Sequence, residues 1–267
     1  MAYTELASAP LRRSLPPVAE PVRRTAGRPT LKAPSEAVAI RVLESVCTLS
    51  EEERALIRRL SVFRESIQAG RPFWRPGQPV GAKIILSGWA ARQRTLPDGR
   101  RQIFGFLLPG DSVGLLSGSS PLDEVSTVAL TRVECMDALM LREILAVGDA
   151  RHARLAEALK GLRRQEDAGL LDHIMRLGRQ SALERTAHLF MEMRQRTRAA
   201  GLSEGDRFPL PLTQEVLSDA LGLSIVHLNR TLQQMKRDAL IEMRAGWITL
   251  LDVGCLKNLA DYGQHDY

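Results

Sequence analysis

The sequence predicts an α+β chain made of a small antiparallel β barrel, a long helix and a C-terminal winged helix-turn-helix. Three observations carry this. Turn signals recur between Arg71 and Leu139, roughly every ten residues as in small barrels. Leucines at helical spacing then run from about Ala150 to Leu177. Two short amphipathic segments separated by a glycine follow between Leu212 and Arg237, and a hairpin pattern comes directly after them.

The 267 residues suit two modest domains, and 44% hydrophobic residues are enough for packed cores. A net charge of +6 permits nucleic-acid binding without establishing it. No run approaches the roughly 18 apolar residues of a membrane helix, and no apolar leader pattern opens the chain. The expectation is a cytoplasmic protein with no membrane partner. Cys47, Cys135 and Cys255 lie far apart and form no CxxC pair, which excludes the usual zinc and iron–sulfur spacings. They read as buried or semi-buried thiols, with a redox-sensing thiol as the alternative. No Ser/His/Asp order, metal cluster or phosphate loop points to an enzyme.

The elements follow in order. Prolines at positions 10, 16, 17, 21, 29 and 34 forbid a long helix in residues 1–34, which read as a disordered basic tail. An arm touching DNA phosphates is the alternative. Val38, Val42 and Val46 give a short helix from Ser35. Ser50 with Glu53 is a capping box opening a second helix through Leu56, Leu60 and Phe63, expected to end near Gly70. Strand runs follow at Lys83–Leu86, Trp89–Thr95, Gln102–Leu108 and Val125–Leu130, with Asp98-Gly99 as a hairpin turn. A short helix near Leu141–Leu145 ends at Gly148. The long helix carries Leu155, Leu159 and Leu162, then Leu170, Ile174 and Leu177. Its stripe is expected to face the barrel early and a partner helix later. Gly178 is expected to end it. A second capping box, Ser181 to Glu184, starts a helix ending before Gly201, and residues 201–211 read as a polar loop.

The segment from Leu212 to Asp252 carries the functional signal. Thr213 caps a helix to about Leu221, Gly222 supplies the left-handed turn, and Ser224 caps a second helix to about Arg237. Val216, Leu217, Ala220 and Leu221 are expected to meet Leu228, Leu232 and Met235. Ile241 onward, a turn at Arg244-Ala245-Gly246, and Trp247 to Leu251 form the wing. In this motif the start of the second helix enters the major groove of double-stranded DNA. Arg230 is assigned to guanine O6 and N7, Asn229 to adenine or phosphate, and Ile225 and Val226 to thymine methyl groups. Thr213, Gln214, Ser224, His227 and Arg244 are assigned to phosphates. For His227, a solvated residue with no single role is the alternative.

The stretch LTQEVLSDALGLSIVHLNRTLQ resembles the helix-turn-helix signature of the Crp/Fnr family of bacterial transcription regulators. LPDGRRQIFGFLLPGDSVGL, from Leu96 to Leu115, is similar to a β-barrel stretch of the same family, including its Pro-Gly-Asp turn. The resemblance implies a β-roll sensor domain, a dimerisation helix, and a homodimer on a pseudo-palindromic site. It also implies contacts to RNA polymerase. The corresponding division is a tail at 1–34, a β-roll with its N-terminal helices at 35–148, the dimerisation helix at 149–178, and the DNA-binding domain at 179–267.

Two departures bear on the signal. Cyclic-nucleotide binders of the family carry a Gly-Glu pair and then an arginine before Ser or Thr. Here Gly114 is followed by Leu115, and Val125 precedes Ser126. Loss of that arginine removes bidentate bonding to a phosphodiester, so a cyclic nucleotide is not the expected effector. The clustered N-terminal cysteines of the family's oxygen sensors are absent. His152 and His173 lie near the long helix as candidates for a heme, although a lone histidine there is more often a surface residue. No cofactor is expected and the effector is unassigned. Val226 also stands where many members have glutamate, which predicts an altered reading at one base pair. The alternative function is a constitutive DNA-binding protein whose barrel only supports the dimer.

Overall fold

A computed structural model describes residues 35–75, 81–115 and 121–263. The tail assigned to residues 1–34 lies outside the described residues, as do the turn signals at Pro76-Gly77 and Gly118-Ser119. Helices α1 (Ser35–Glu44) and α2 (Glu51–Leu60) precede eight strands: β1 (Arg64–Ile67), β2 (Pro72–Trp74), β3 (Lys83–Ser87), β4 (Ala90–Thr95), β5 (Arg101–Leu107), β6 (Ser112–Val113), β7 (Ser126–Ala129) and β8 (Val133–Asp137). They form two four-stranded antiparallel sheets, ordered β1-β8-β3-β6 and β2-β7-β4-β5. Ile85, Leu107, Val113, Val133 and Cys135 pack between the sheets. The result is a β-roll, as the resemblance implied.

Helices α3 (Leu139–Val147), α4 (Ala153–Arg179) and α5 (Ala182–Ala199) follow. Gly148 ends α3 in the left-handed conformation. The N-terminal half of α4 buries Leu155, Ala158 and Leu159 in a core shared with α1, α2 and β3. Its C-terminal half leaves Leu171, Ile174 and Met175 more than half exposed. The last part contains β9 (Arg207–Pro209), α6 (Gln214–Leu221), α7 (Ile225–Arg237), β10 (Ile241–Arg244), β11 (Trp247–Leu250) and α8 (Val253–Ala260). Its three strands pair in the order β10-β11-β9.

Both capping boxes form. In the first, the Ser50 hydroxyl accepts from Glu53 N–H at 3.2 Å while the Glu53 carboxylate accepts from Ser50 N–H at 2.7 Å. The other oxygen of Glu53 accepts from Leu155 N–H at 2.8 Å. One buried carboxylate thereby caps α2 and sits at the positive end of α4, a placement the helix dipole favours.

Five expectations need correction. Helix α2 stops at Leu60, not near Gly70, because the next residues are taken into the sheet: β1 pairs with β8 from Arg64↔Met136 to Ile67↔Val133. Phe63, expected within that helix, lies beyond it and is 78% exposed. Gly178 does not end α4, which continues to Arg179; the break comes at Gln180, extended ahead of the Ser181 cap. The free stripe of α4 is Leu171, Ile174 and Met175, whereas Leu170 and Leu177 are half-buried. His152 and His173 are buried rather than on the surface. The loop assigned to 201–211 also contains β9, which is held by its pairing with β11.

Replacing Glu53 with Ala strands two helix-terminal N–H groups, one of them buried. Unfolding in urea should show a loss of about 2–3 kcal/mol, a sum of lost caps and an unsatisfied donor.

Candidate nucleic-acid interface

Thr213 and Ser224 cap the two helices of the motif, accepting from Val216 N–H and His227 N–H at 3.2 Å each. Gly222 joins them with φ +62°, a conformation that favours glycine. A Cβ there would also stand 3.0 Å from Leu177 of α4. Leu217, Ala220 and Leu221 of α6 share a core with Leu228, Leu232 and Met235 of α7. Burial of that face turns the opposite face outward. Ser224, Ile225, Val226, His227 and Arg230 are exposed and Asn229 is half-buried. Ile225 and Val226 are 46% and 61% exposed. Arg230 makes no ion pair among the described residues.

Thr213 is half-buried and Gln214 exposed at the start of α6, and Arg244 is exposed at the wing turn. Ala245 and Gly246 complete that turn with positive φ. The proposed phosphate residues thus occupy two helix N-termini and the wing, where N–H groups and a guanidinium are presented outward. Three supporting residues had no sequence signal. Arg185 of α5 donates to Leu221 O at 3.2 Å and holds the end of α6. Arg207 stacks over Trp247 at 4.6 Å beneath the wing. Asp219 of α6 pairs with Arg101 of β5.

The roll has a cleft of about 320 Å³ facing α4 and α5, lined in part by Arg92, Phe104, Gly114, Arg163, Glu166 and Arg176. Arg92 is 3% exposed; it pairs with Glu166 of α4 and donates to Ser112 O at 3.2 Å. Leu115, where the family's nucleotide binders have glutamate, is buried in the core under α1 and α4. Gly114 is fixed by its neighbours: with φ +65°, its Cβ would collide with Gly81 O and the Trp74 ring. At the far end, burial raises Glu192, but Arg176 and Arg196 outweigh it and hold the carboxyl below its usual range. Burial pushes His173 down to about 4, helped by Arg176 and opposed by Glu192. Cys135 is buried between the sheets, which raises its thiol to about 11, while Cys47 and Cys255 are half-buried. No group of residues suited to a metal ion occurs among the described residues.

A β-roll, a long helix with a free apolar stripe and a capped helix-turn-helix with a wing are the parts of a DNA-binding transcription regulator. A model of the Crp-like helix-turn-helix domain matches residues 184–259, and one of the cyclic nucleotide-binding domain matches residues 64–138. The nitrogen fixation regulation protein FixK of Bradyrhizobium diazoefficiens is 34% identical over 177 residues, covering 66% of this chain and 72% of the relative. The transcriptional activator protein FnrL of Cereibacter sphaeroides is 28% identical, over 74% of this chain and 80% of its own. The solved structure of FixK2 from Bradyrhizobium japonicum superposes with a TM-score of 0.62 at 28% identity, covering 74% of this chain and 96% of that one. The chain belongs to the Crp/Fnr family of transcription regulators.

Because His173 is neutral in the fold and has a pKa near 6.5 when unfolded, the unfolded chain binds more protons between about pH 6.5 and 4. Stability should therefore fall as pH is lowered through that window, by up to about 3 kcal/mol from this residue. Denaturation midpoints of His173→Gln measured against pH should show a shallower decline.

Proposed function

We propose that this regulator binds as a homodimer to a pseudo-palindromic site, with α7 of each subunit in the major groove. The observation that carries the reading is the outward face of α7, where Arg230 stands exposed beside Ile225 and Val226. Arg230 reads guanine, Asn229 adenine or a phosphate, and the two apolar residues sense thymine methyls. Thr213, Gln214, Ser224, His227 and Arg244 bind phosphates and set the register. Ser224 and Thr213 already accept helix N–H groups, so their hydroxyl protons are what they offer to phosphate oxygens.

The dimer rests on Leu171, Ile174 and Met175, three large apolar side chains on the exposed half of α4. The proposed division remains a basic tail at 1–34, the roll and its helices at 35–148, a dimerisation helix at 149–178, and the DNA-binding domain at 179–267. Contacts with RNA polymerase and a cytoplasmic location belong to the same reading; among the described residues no helix is long and apolar enough to cross a membrane. The signal is not a cyclic nucleotide, because Val125 offers no guanidinium and Leu115 is spent on the core. A second reading, in which the roll is only a support for the dimer, is favoured by the internal pairing of Arg92 with Glu166.

Arg230→Ala should weaken binding to the protein's own site by about 1–3 kcal/mol while leaving random DNA nearly unaffected. Equal losses on both would contradict base reading. Arg244→Ala should lower both alike and reduce the salt slope. In sedimentation, the parent should be a dimer and Ile174→Glu a folded monomer, whereas a dimeric Ile174→Glu would move the interface elsewhere.

A further inference from the structure

The winged helix is docked on the roll. Arg101, the first residue of β5, donates through Nε to Asp219 of α6 at 2.7 Å and approaches it through Nη2 at 2.5 Å, with Glu215 at 3.9 Å. Arg101 and Asp219 are 24% and 22% exposed, so water screens the pair only in part. A second bond runs the other way. Arg196 of α5 donates to Phe106 O at 2.9 Å and to Asp111 at 2.5 Å. Asp111 closes the Pro-Gly-Asp turn of the roll by accepting from Leu108 N–H at 2.6 Å. Between these bonds, Trp89, Phe106 and Leu108 of the roll belong to the same buried cluster as Phe190, Leu217 and Leu228. Helix α1 wedges in from the side, with Val38 and Val42 against Ala200 and Leu202, and Arg41 donating to Ala200 O at 3.3 Å.

The docked arrangement hides neither working surface. The outward face of α7 and the stripe of α4 both stay exposed in it. We propose that Arg101 and Asp219 are positioning residues for DNA binding: their ion pair ties the first helix of the motif to β5 and holds α7 preoriented for its site. This rests on the reading of α7 as the DNA-reading helix. Strand β5 serves two masters, since Phe104 and Phe106 line the cleft while Arg101 grips α6. A change in the roll therefore reaches the motif directly, without passing through α4.

The sign of one substitution separates this from a plain charge effect. Asp219→Asn removes a negative charge beside the DNA-binding helices, so electrostatics alone predicts tighter DNA binding. Positioning predicts weaker specific binding. Fluorescence anisotropy on the full chain should use a duplex of its selected site and a random duplex of equal length. Arg101→Gln and Asp219→Asn should each weaken the site duplex by about three- to tenfold, with the double variant no worse than the weaker single. On the random duplex, Asp219→Asn should bind as well as the parent or better. The reciprocal exchange, Arg101→Asp with Asp219→Arg, should recover affinity for the site, and thermal melts should confirm that every variant is folded. Tighter binding of Asp219→Asn to the site duplex, or two single variants that leave it unchanged, overturns the proposal. A parent protein that selects no site overturns the functional reading instead.

Discussion

The first half of α4 is tied to the roll by Leu155, Ala158 and Leu159 and by the Glu53 carboxylate at its N-terminus. The second half has no such cover, and Leu171, Ile174 and Met175 face outward. A helix is stiff over this length, so fixing one end fixes the direction of the other. The roll thereby sets where the apolar stripe points. The end of α4 also sets where the winged helix begins, because Leu177 packs close to Gly222 in the turn of the motif. Burial of one end of α4 against the roll is thus the constraint that relates the sheet to the exposed stripe and to the turn of the helix-turn-helix.

The DNA-binding end was readable in the sequence because its signals are local. Thr213 and Ser224 lie next to the helices they cap, Gly222 is the residue a left-handed turn favours, and the leucines of α6 and α7 meet across three residues. Both capping boxes were readable for the same reason. The failures share the opposite cause. Strands β1 and β8 are four and five residues long and are defined by pairing across about seventy positions. Strand β9 exists only through β11. Nothing near Phe63 reports that the chain leaves the helix before it. The roles of Arg185, Arg101 and Asp219 depend on partners in distant elements, which spacing along the chain does not reveal.

The two ends of the molecule also differ in what their chemistry specifies. On α7, the side chains of Ile225, Val226, His227 and Arg230 stand exposed, open to an outside partner. In the cleft of the roll the polar groups largely answer one another: Arg92 and Arg163 share Glu166, and Arg176 and Arg196 share Glu192. Buried charges kept in such pairs are costly to separate.

Two copies of α7 reading a symmetric site leave a signature in selection from a pool of random duplexes. Two inverted half-sites, each with a guanine for Arg230 and centred about one helical turn apart, should be enriched. Enrichment of a single unrepeated half-site would contradict the dimeric reading, and a pool that emerges no different from its input would contradict sequence-specific binding altogether.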